Sequence, residues 1–543
     1  MKRIVSFSVL IITALSLLTV PYASAGPNTQ GFELPEVIQL DSGKISGVPE
    51  ADSSVIAYKG IPYAAPPVGD LRWQPPQPVE AWEDVLVADA FGNSAIQPAQ
   101  EPFRMWSEEF IISNKNYSED SLTLNVWTDA SSDNATRPVI VYIHGGGLTT
   151  GGSSCDVYSG AEIAKKDVVY VSINYRVGIF GFFNHPELSQ ESPNNVSGNY
   201  GVMDAIAALE WVKTNIAAFG GDPGNVTIMG QSAGSRMVHA LVISPLANGL
   251  FHRAVAESAN PIMSGAMGGG NLAAREEVGT AVMEFLGAES LADLRAMSAE
   301  ELQEQVSAFD SGTGRAGYPT SITIDGYVIP DTDLGVYQQG IQNDVPLMTG
   351  SVTGDAGMFG GSATVTVAQY EETAVAQYGD MAEEFLALYP AENDDDATFI
   401  ANNVIAIHRM NMLIYVLAEA RALNGEADTY MYYFTRAMPA ADGIEEYGAF
   451  HTADVPYFFN YFYQSSTRPW TETDYALGDT MSSYLANFAK TGDPNGEGLP
   501  TWPAFSADSV DLIELGDEVQ VYSGMTQEQA DFWKTYFNSS LGL

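Results

Sequence analysis

The sequence predicts an α/β fold in which helices cover a central, mostly parallel β-sheet. Strand-like and helix-like segments alternate along the chain, and this alternation favours a parallel sheet. Residues 139–143 and 168–173 are β-branched runs of the kind found in buried strands. From residue 202 to 218, apolar side chains recur mostly on one helical face. These observations place one sheet between helical layers.

The second half of the chain continues this alternation. Further strands are predicted at 226–229, 254–256, 346–348 and 430–434, and further helices at 235–243 and 400–423. Acid-rich segments at about 265–310 are expected to be part of an inserted helical region over the sheet. Motifs that carry chemistry lie on both sides of that insertion, so residues 26–543 are predicted to form a single catalytic domain.

The charge balance excludes two classes of partner. The chain has 543 residues, with 23 basic and 68 acidic side chains and a net charge of -45. A surface with this much negative charge repels phosphates and anionic lipid headgroups. No nucleic acid and no anionic membrane is therefore expected to bind. The composition favours high solubility, including solubility in salty water.

Residues 1–25 have the pattern of a signal peptide. Lys2 and Arg3 precede the apolar run 4–20, and Ala23-Ser24-Ala25 forms a small-residue cleavage site. The mature protein is expected to be secreted or periplasmic, without stable membrane association, because no later stretch looks long and apolar enough to span a bilayer. Cys155 is the only cysteine, so no intrachain disulfide can form.

The segment Gly230-Gln231-Ser232-Ala233-Gly234 matches the G-x-S-x-G pattern. The pattern alone is weak evidence in a chain with 51 glycines. Here, however, a predicted strand precedes Ser232 and a predicted helix follows it, which is the setting of a nucleophile elbow. Ser232 is therefore the predicted nucleophile, with small neighbours that let the backbone approach a substrate.

His144-Gly145-Gly146-Gly147 follows directly on the 139–143 strand. Glycines let several backbone N–H groups point at one spot, where a tetrahedral intermediate places its negative oxygen. The N–H groups of Gly146, Gly147 and Ala233 are the predicted oxyanion-hole donors.

Six histidines are available as the general base: His144, His185, His239, His252, His408 and His451. In hydrolases with a G-x-S-x-G elbow the base follows both the serine and the acid in the chain, which leaves the last two. His408 lies within a predicted helix, whereas His451 lies in a loop after the 430–434 strand. His451 is the predicted base.

The acid is expected after a strand between Ser232 and His451. Asp355 is the acid in the turn that follows the 346–348 strand, and it would orient His451 and stabilise the imidazolium. Asp325 and Asp331 come before that strand and fit less well.

Six further motifs make the chain resemble the type B carboxylesterases, which have the α/β-hydrolase fold. They are Gly60 to Gly69 with Leu71-Arg72-Trp73, Glu119 to Val126, Asn174-Tyr175-Arg176, Gly198 to Gly201, Phe219 to Thr227, and Gly492 to Asn495. The resemblance covers most of the mature chain and implies a serine esterase that acts on a small-molecule ester and needs no metal or other cofactor.

Two positions depart from the family pattern. Ser121 stands where the family usually has a disulfide-forming cysteine. The family acid is usually the glutamate of an Asp-Glu-Gly turn. Counting from Gly350 puts Asp355 at that position, whereas counting back from Gly357 puts Ala356 there.

Leu148, Thr149, Ser235 and Phe450 flank these motifs and are the predicted substrate-binding residues. A lipase or amidase of the same fold is the alternative activity. A non-catalytic binding protein of the same superfamily is disfavoured, because Ser232, His451 and the glycine loop are all present.

Overall fold

A computed structural model describes residues 34–51, 53–130, 136–261, 270–313, 320–357, 364–462 and 468–541. The predicted signal peptide, residues 1–25, lies outside them. The largest sheet has eleven strands: β1 (Val48–Pro49), β2 (Val55–Pro62), β3 (Thr123–Asp129), β4 (Arg137–Ile143), β5 (Val169–Ile173), β6 (Gly221–Gln231), β7 (Arg253–Glu257), β8 (Leu347–Val352), β9 (Thr429–Phe434), β10 (Leu512–Leu515) and β11 (Val519–Tyr522).

The strands of this sheet lie in the order β11-β10-β9-β8-β7-β6-β4-β5-β3-β2-β1. All neighbouring pairs from β10 across to β5 are parallel. The outer pairs are antiparallel at both edges. The predicted α/β class with a mostly parallel central sheet is confirmed.

The described part of the chain contains fifteen α-helices: α1 (Gly178–Phe182), α2 (Pro186–Glu191), α3 (Tyr200–Asn215), α4 (Ala233–Ile243), α5 (Leu272–Leu286), α6 (Leu291–Ala296), α7 (Ala299–Thr313), α8 (Asp333–Gln339), α9 (Val367–Tyr378), α10 (Ala382–Leu388), α11 (Asp394–Phe399), α12 (Ile405–Asn424), α13 (Val455–Phe458), α14 (Glu472–Thr491) and α15 (Gln527–Leu541).

The central strands are buried on both faces. In β4, Val139, Val141 and Ile143 pack into one hydrophobic cluster, which also contains apolar side chains of α3 and α4. Ile140 and Tyr142 alternate with them and pack into a second cluster on the opposite face. Successive side chains of a strand point to opposite faces, so two covered faces require a continuous apolar run rather than an alternating one.

Helices α5, α6 and α7 occupy the region predicted as an insertion. Their apolar side chains form a separate cluster with Phe180 and Phe183. Arg72, from the Leu-Arg-Trp motif, donates hydrogen bonds from Nη1 to the carbonyls of Leu294 and Met297 at 2.9 and 3.0 Å. The amino-terminal motif therefore anchors this helical region.

The sequence predicts no stretch after the signal peptide that is long and apolar enough to span a bilayer. The helical run Asp394–Asn424 is such a stretch by length and composition. It comprises α11, the π-helical turn Ile400–Val404 and α12. An 18-residue window of it has a mean hydropathy of 1.2, so its length and composition would allow it to cross a membrane. Buried core helices pass the same test, and 44% of this window is buried inside the protein. Helix α12 packs against α8 and α15.

Candidate active site

The sequence motifs meet at one edge of the sheet. Strands β4, β6, β7, β8 and β9 are mutually parallel, so their carboxyl ends lie on the same side. The glycine loop follows β4, Ser232 follows β6, Asp355 follows β8 and His451 lies in the loop after β9. In open α/β sheets this edge is where ligands bind.

Ser232 occupies a strained turn between β6 and α4. Its φ of 58° and ψ of -122° are a backbone conformation that non-glycine residues rarely adopt. Its backbone N–H donates to the carbonyl of Glu257 at 2.8 Å, which ties the turn to β7. A Cβ on Gly230 would lie 2.5 Å from the backbone of Gly234, so no larger side chain fits there. The strand–turn–helix prediction for this segment is confirmed.

The glycine loop lies against this turn. Gly146 and Gly147 have φ values of 108° and 65°, which favour glycine. The carbonyl of Gly146 accepts hydrogen bonds from the backbone N–H groups of Thr149 and Thr150 at 3.1 and 3.0 Å. A Cβ on Gly145 would lie 3.2 Å from the Cβ of Ser232. Sequence order alone does not bring this loop and the serine together, but the parallel pairing of β4 and β6 does.

His144, the first residue of the glycine loop, is held in place by Tyr175. Its ring stacks on Tyr175 with centroids 4.4 Å apart, and the hydroxyl of Tyr175 donates to the His144 carbonyl at 2.9 Å. Burial lowers the pKa of His144 to about 4, so its ring is neutral at pH 7. The third predicted oxyanion donor, Ala233, is the first residue of α4. Its N–H is one of the first-turn donors that have no acceptor within their own helix.

His451 and Asp355 are in direct contact. The Nδ1 of His451 lies 2.6 Å from Oδ1 of Asp355, and both side chains are buried. The other carboxylate oxygen of Asp355 accepts a hydrogen bond from the backbone N–H of Val352 at 3.0 Å. The short helical turn Thr353–Gly357 holds the carboxylate at the end of β8. Two residues almost a hundred positions apart thus form one hydrogen-bonded pair.

The backbone beside His451 is strained. Thr452 has a φ of 85°, which is unusual for a β-branched residue. The indole N–H of Trp106 donates to the Thr452 hydroxyl at 3.1 Å. This contact from a distant loop helps to hold the turn that carries His451.

The second ring nitrogen of His451 has an unexpected neighbour. Its Nε2 lies 3.3 Å from the side-chain Nε2 of Gln231, the residue before the predicted nucleophile. Within the described residues, the Ser232 hydroxyl makes no hydrogen bond to His451. Such contacts often tighten only when substrate is bound.

The other five histidines have different partners or surroundings. His185 accepts a hydrogen bond from the N–H of Glu187 at the start of α2, and His252 accepts one from Val226. Nδ1 of His408 lies 2.9 Å from the hydroxyl of Tyr389, and His239 is buried within α4.

The rival acids lie elsewhere. One carboxylate oxygen of Asp325 accepts the N–H groups of Tyr327, Val328 and Ile329, so it stabilises a local turn. Asp331 accepts hydrogen bonds from the Thr332 N–H and from the side chain of Gln339.

Two buried carboxyl groups near His451 were not predicted from the sequence. Glu257, at the end of β7, is fully buried, and neither of its carboxyl oxygens has a hydrogen-bond partner. Burial raises its pKa well above the ordinary value, and the nearby Asp454 adds to the rise. Burial also raises the pKa of Asp454 to about 7, although the Tyr432 hydroxyl, which donates to it at 2.8 Å, opposes that rise.

Gln231, Glu257 and Asp454 therefore join the residues brought together at this edge. The sequence offered a signal for each: Gln231 lies inside the pentapeptide, Glu257 directly follows the predicted strand at 254–256, and Asp454 lies three residues after His451. What the sequence lacked was the pairing of strands that makes them neighbours.

The four predicted substrate-binding residues differ in exposure. Thr149 is half-buried, and its hydroxyl donates to the Gly146 carbonyl at 3.3 Å. Leu148 packs in the main core, and the Ser235 hydroxyl donates to the Ala259 carbonyl at 3.3 Å. The ring of Phe450 meets Phe110 edge-on at 5.7 Å. Substrate contact remains a prediction for all four.

Within the ranges that the structure describes, no group of three or more histidine, cysteine or acidic side chains is placed to hold a metal ion.

Comparison with known proteins gives a consistent result. A family model described as "Carboxylesterase family" matches residues 34–533. Fumonisin B1 esterase of Sphingopyxis macrogoltabida is 31% identical over 517 residues, covering 93% of this chain and 91% of that protein. Cocaine esterase of Oryctolagus cuniculus is 32% identical over 522 residues, covering 90% of this chain and 93% of that protein.

Solved structures agree. Carboxylesterase EST55 of Geobacillus stearothermophilus, solved at pH 6.2, superposes with a TM-score of 0.76 and 28% identity, covering 92% of this chain and 100% of that chain. A PNB esterase structure gives the same TM-score and identity and covers 92% of this chain and 99% of its own. The chain therefore belongs to the carboxylesterase family, has the α/β-hydrolase fold and is a carboxylic ester hydrolase.

Proposed function

We propose that the protein is a serine carboxylesterase that works through an acyl-enzyme on Ser232, with His451 as general base and Asp355 as the acid that orients it. The observation that carries the proposal is the 2.6 Å contact between His451 Nδ1 and Asp355 Oδ1. It occurs at the sheet edge where the strained turn presents Ser232.

The protonation states follow from the donors and acceptors. An ionised carboxylate can only accept hydrogen bonds, so neutral His451 carries its proton on Nδ1 and leaves a lone pair on Nε2. That lone pair takes the hydroxyl proton of Ser232 as the serine oxygen attacks the ester carbonyl. The resulting imidazolium lies against Asp355, whose negative charge stabilises it.

The remaining steps use the same groups. The N–H groups of Gly146, Gly147 and Ala233 bind the negative oxygen of the tetrahedral intermediate, which is where preorganised donors lower the barrier most. The imidazolium gives its proton to the leaving alcohol, and the acyl-enzyme remains. Water then gives a proton to His451 and attacks the acyl carbon. As the bond from that carbon to Ser232 Oγ breaks, His451 returns the proton to the serine oxygen, which releases the carboxylic acid and restores both Ser232 and neutral His451.

We infer that the substrates are small-molecule carboxylic esters. Two similar proteins are named for their action on fumonisin B1 and cocaine, which supports an ester substrate but does not select one for this chain. A lipase or an amidase would use the same three residues. Hydrolysis rates on p-nitrophenyl esters of increasing acyl length distinguish the lipase alternative, because a lipase prefers long chains.

Covalent labelling with a fluorophosphonate probe tests the proposal. We expect the wild type to be labelled on Ser232, the Ser232→Ala variant to remain unlabelled, and the Ser540→Ala variant, with its change on an exposed part of α15, to be labelled like the wild type. An unlabelled wild type, or equal labelling of Ser232→Ala, would overturn the assignment of the nucleophile.

We also propose that residues 1–25 direct export, which gives a secreted or periplasmic enzyme. The Ala23-Ser24-Ala25 sequence supports cleavage before Gly26. Mass spectrometry of the mature protein from an exporting host should find Gly26 at its amino terminus. An intact Met1 terminus in the exported protein would contradict this.

A further inference from the structure

The side chain of Gln231 lies between the two halves of the site. Its Nε2 is 3.3 Å from Nε2 of His451, and Gln231 is buried with about 1% of its surface exposed. A Cβ on Gly145 would lie 3.3 Å from Gln231 Oε1, so the other end of the carboxamide faces the glycine loop. A buried amide thus reaches from the oxyanion loop to the nitrogen that must accept the serine proton.

The direction of the Gln231 hydrogen bond depends on the protonation of His451. Asp355 accepts from Nδ1, so in the neutral ring Nε2 has only a lone pair and requires a donor. The amide N–H of Gln231 supplies that donor. In the imidazolium, Nε2 carries a proton, and the same N–H would face another N–H.

The other groups that face His451 act in the opposite direction. Asp355 touches the ring from the turn after β8, and Asp454 interacts with it electrostatically from the start of α13. Glu257 faces Asp454 from β7. Negative charge on any of these carboxyl groups favours the imidazolium, which cannot accept a proton from Ser232.

We propose that Gln231 is a positioning residue that keeps His451 in its neutral, proton-accepting form in the resting enzyme by donating its side-chain N–H to Nε2, until the Ser232 hydroxyl replaces it as the donor to that lone pair. The inference rests on the proposed role of His451 as the base. When the serine proton arrives on Nε2, the amide turns so that its Oε1 accepts from the new N–H. A glutamine can make both bonds, whereas an ionised glutamate can only accept and so favours the protonated ring relative to glutamine.

The test is the pH dependence of kcat/KM for hydrolysis of p-nitrophenyl acetate by four proteins: wild type, Gln231→Met, Gln231→Glu and Gln338→Glu. Methionine has a similar length but no donor. We expect Gln231→Met to raise the pH at which activity falls to half by about half a unit, as expected for loss of one neutral hydrogen bond. We expect Gln231→Glu to raise that pH by about one unit or more, because it adds a charge at contact distance.

Gln338→Glu is the matched control, because it makes the same chemical change on an exposed part of α8. Its profile should follow that of the wild type. At alkaline pH, where His451 is neutral in every variant, all four proteins should share the same rate within about threefold, since the donor is then no longer needed to hold the ring neutral.

Two outcomes of the kinetic measurements would overturn the proposal. If both Gln231 variants lower the alkaline rate without moving the pH of half-activity, Gln231 has only a structural role. If neither variant changes the profile, it has none in catalysis. If the fluorophosphonate probe does not label Ser232 of the wild type, the proposed function itself is overturned.

A variant that does not fold is recognised by its thermal unfolding. The wild-type ¹⁵N spectrum of labelled histidine, assigned with His451→Ala, then decides the question. A protonated Nε2 on His451 in the resting enzyme at pH 7 overturns the proposal, and an unprotonated, hydrogen-bonded Nε2 supports it.

Discussion

Replacing Asp355 with asparagine should remove most of the activity, because it would reverse the tautomer of His451. Two donors share the carboxylate in the wild type: His451 Nδ1 at 2.6 Å on one oxygen and the Val352 N–H at 3.0 Å on the other. An asparagine has a single oxygen. If that oxygen stays with the buried Val352 N–H, the new amide N–H points at His451 Nδ1, and the ring must carry its proton on Nε2 instead.

A histidine with its proton on Nε2 cannot accept the proton of Ser232. In a trypsin-like enzyme the corresponding change lowers kcat by about 10⁴. The equivalent barrier increase is about 5.5 kcal/mol, since each tenfold loss of rate corresponds to about 1.4 kcal/mol. We expect a loss of the same order for Asp355→Asn, with little change in KM, because Asp355 is buried behind the histidine.

The assay is kcat and KM for p-nitrophenyl acetate at pH 7.5, with Asp331→Asn as the matched control. Asp331 is the rival acid whose contacts lie in a surface turn, so its variant should keep wild-type kcat. Thermal unfolding shows whether each variant is folded. A folded Asp355→Asn enzyme with more than about a tenth of wild-type kcat would refute this reasoning, since loss of the correct tautomer leaves no route to that rate.

Three further predictions follow from the site and from the charge of the chain. Gly146 has a φ of 108°, and a Cβ there would clash with the backbone of Thr150, so Gly146→Ala should displace the N–H groups of the predicted oxyanion hole. We expect kcat to fall about 10²-fold or more although the nucleophile Ser232 is unchanged. An unchanged kcat would contradict the predicted oxyanion hole. Burial raises the pKa of Glu257 in the folded protein, whereas in the unfolded chain this glutamate loses its proton near pH 4.3. Above that pH the folded state binds one more proton than the unfolded state, so the free energy of unfolding falls as pH rises. Glu257→Gln should therefore raise the Tm by about 1–3 °C at pH 8 and leave it unchanged below pH 4. Calorimetry measures both values, with Glu284→Gln as the exposed control. An equal gain in Tm at both pH values would contradict this account. With a net charge of -45, the Tm should rise by several degrees between 10 mM and 1 M NaCl through screening of repulsion, and a flat or falling Tm would contradict this.

Much of the fold could be predicted from local patterns because its signals are local. The buried run at 139–143 lies within β4, and the helix predicted at 202–218 is α3 followed by the 3₁₀ turn Ile216–Phe219. A strand buried on both faces must be apolar at every position, and a helix packed on a sheet must be apolar on one face. The strained turn at Ser232 is also local, since its glycines and flanking elements lie within a few residues.

The sequence by itself therefore determined the fold class and the strand–turn–helix segment around Ser232, and it predicted the glycine loop at Gly146 as the oxyanion hole and, through chain order, His451 and Asp355 as base and acid. Only the tertiary structure decided that the Asp355 oxygen meets Nδ1 of His451, that Gln231 lies against Nε2, and that Glu257 and Asp454 are buried beside them. The physical reason is the order of the parallel strands. Segments far apart in the chain become neighbours when β6, β7, β8 and β9 pair side by side, and no local pattern specifies which carboxyl ends will meet.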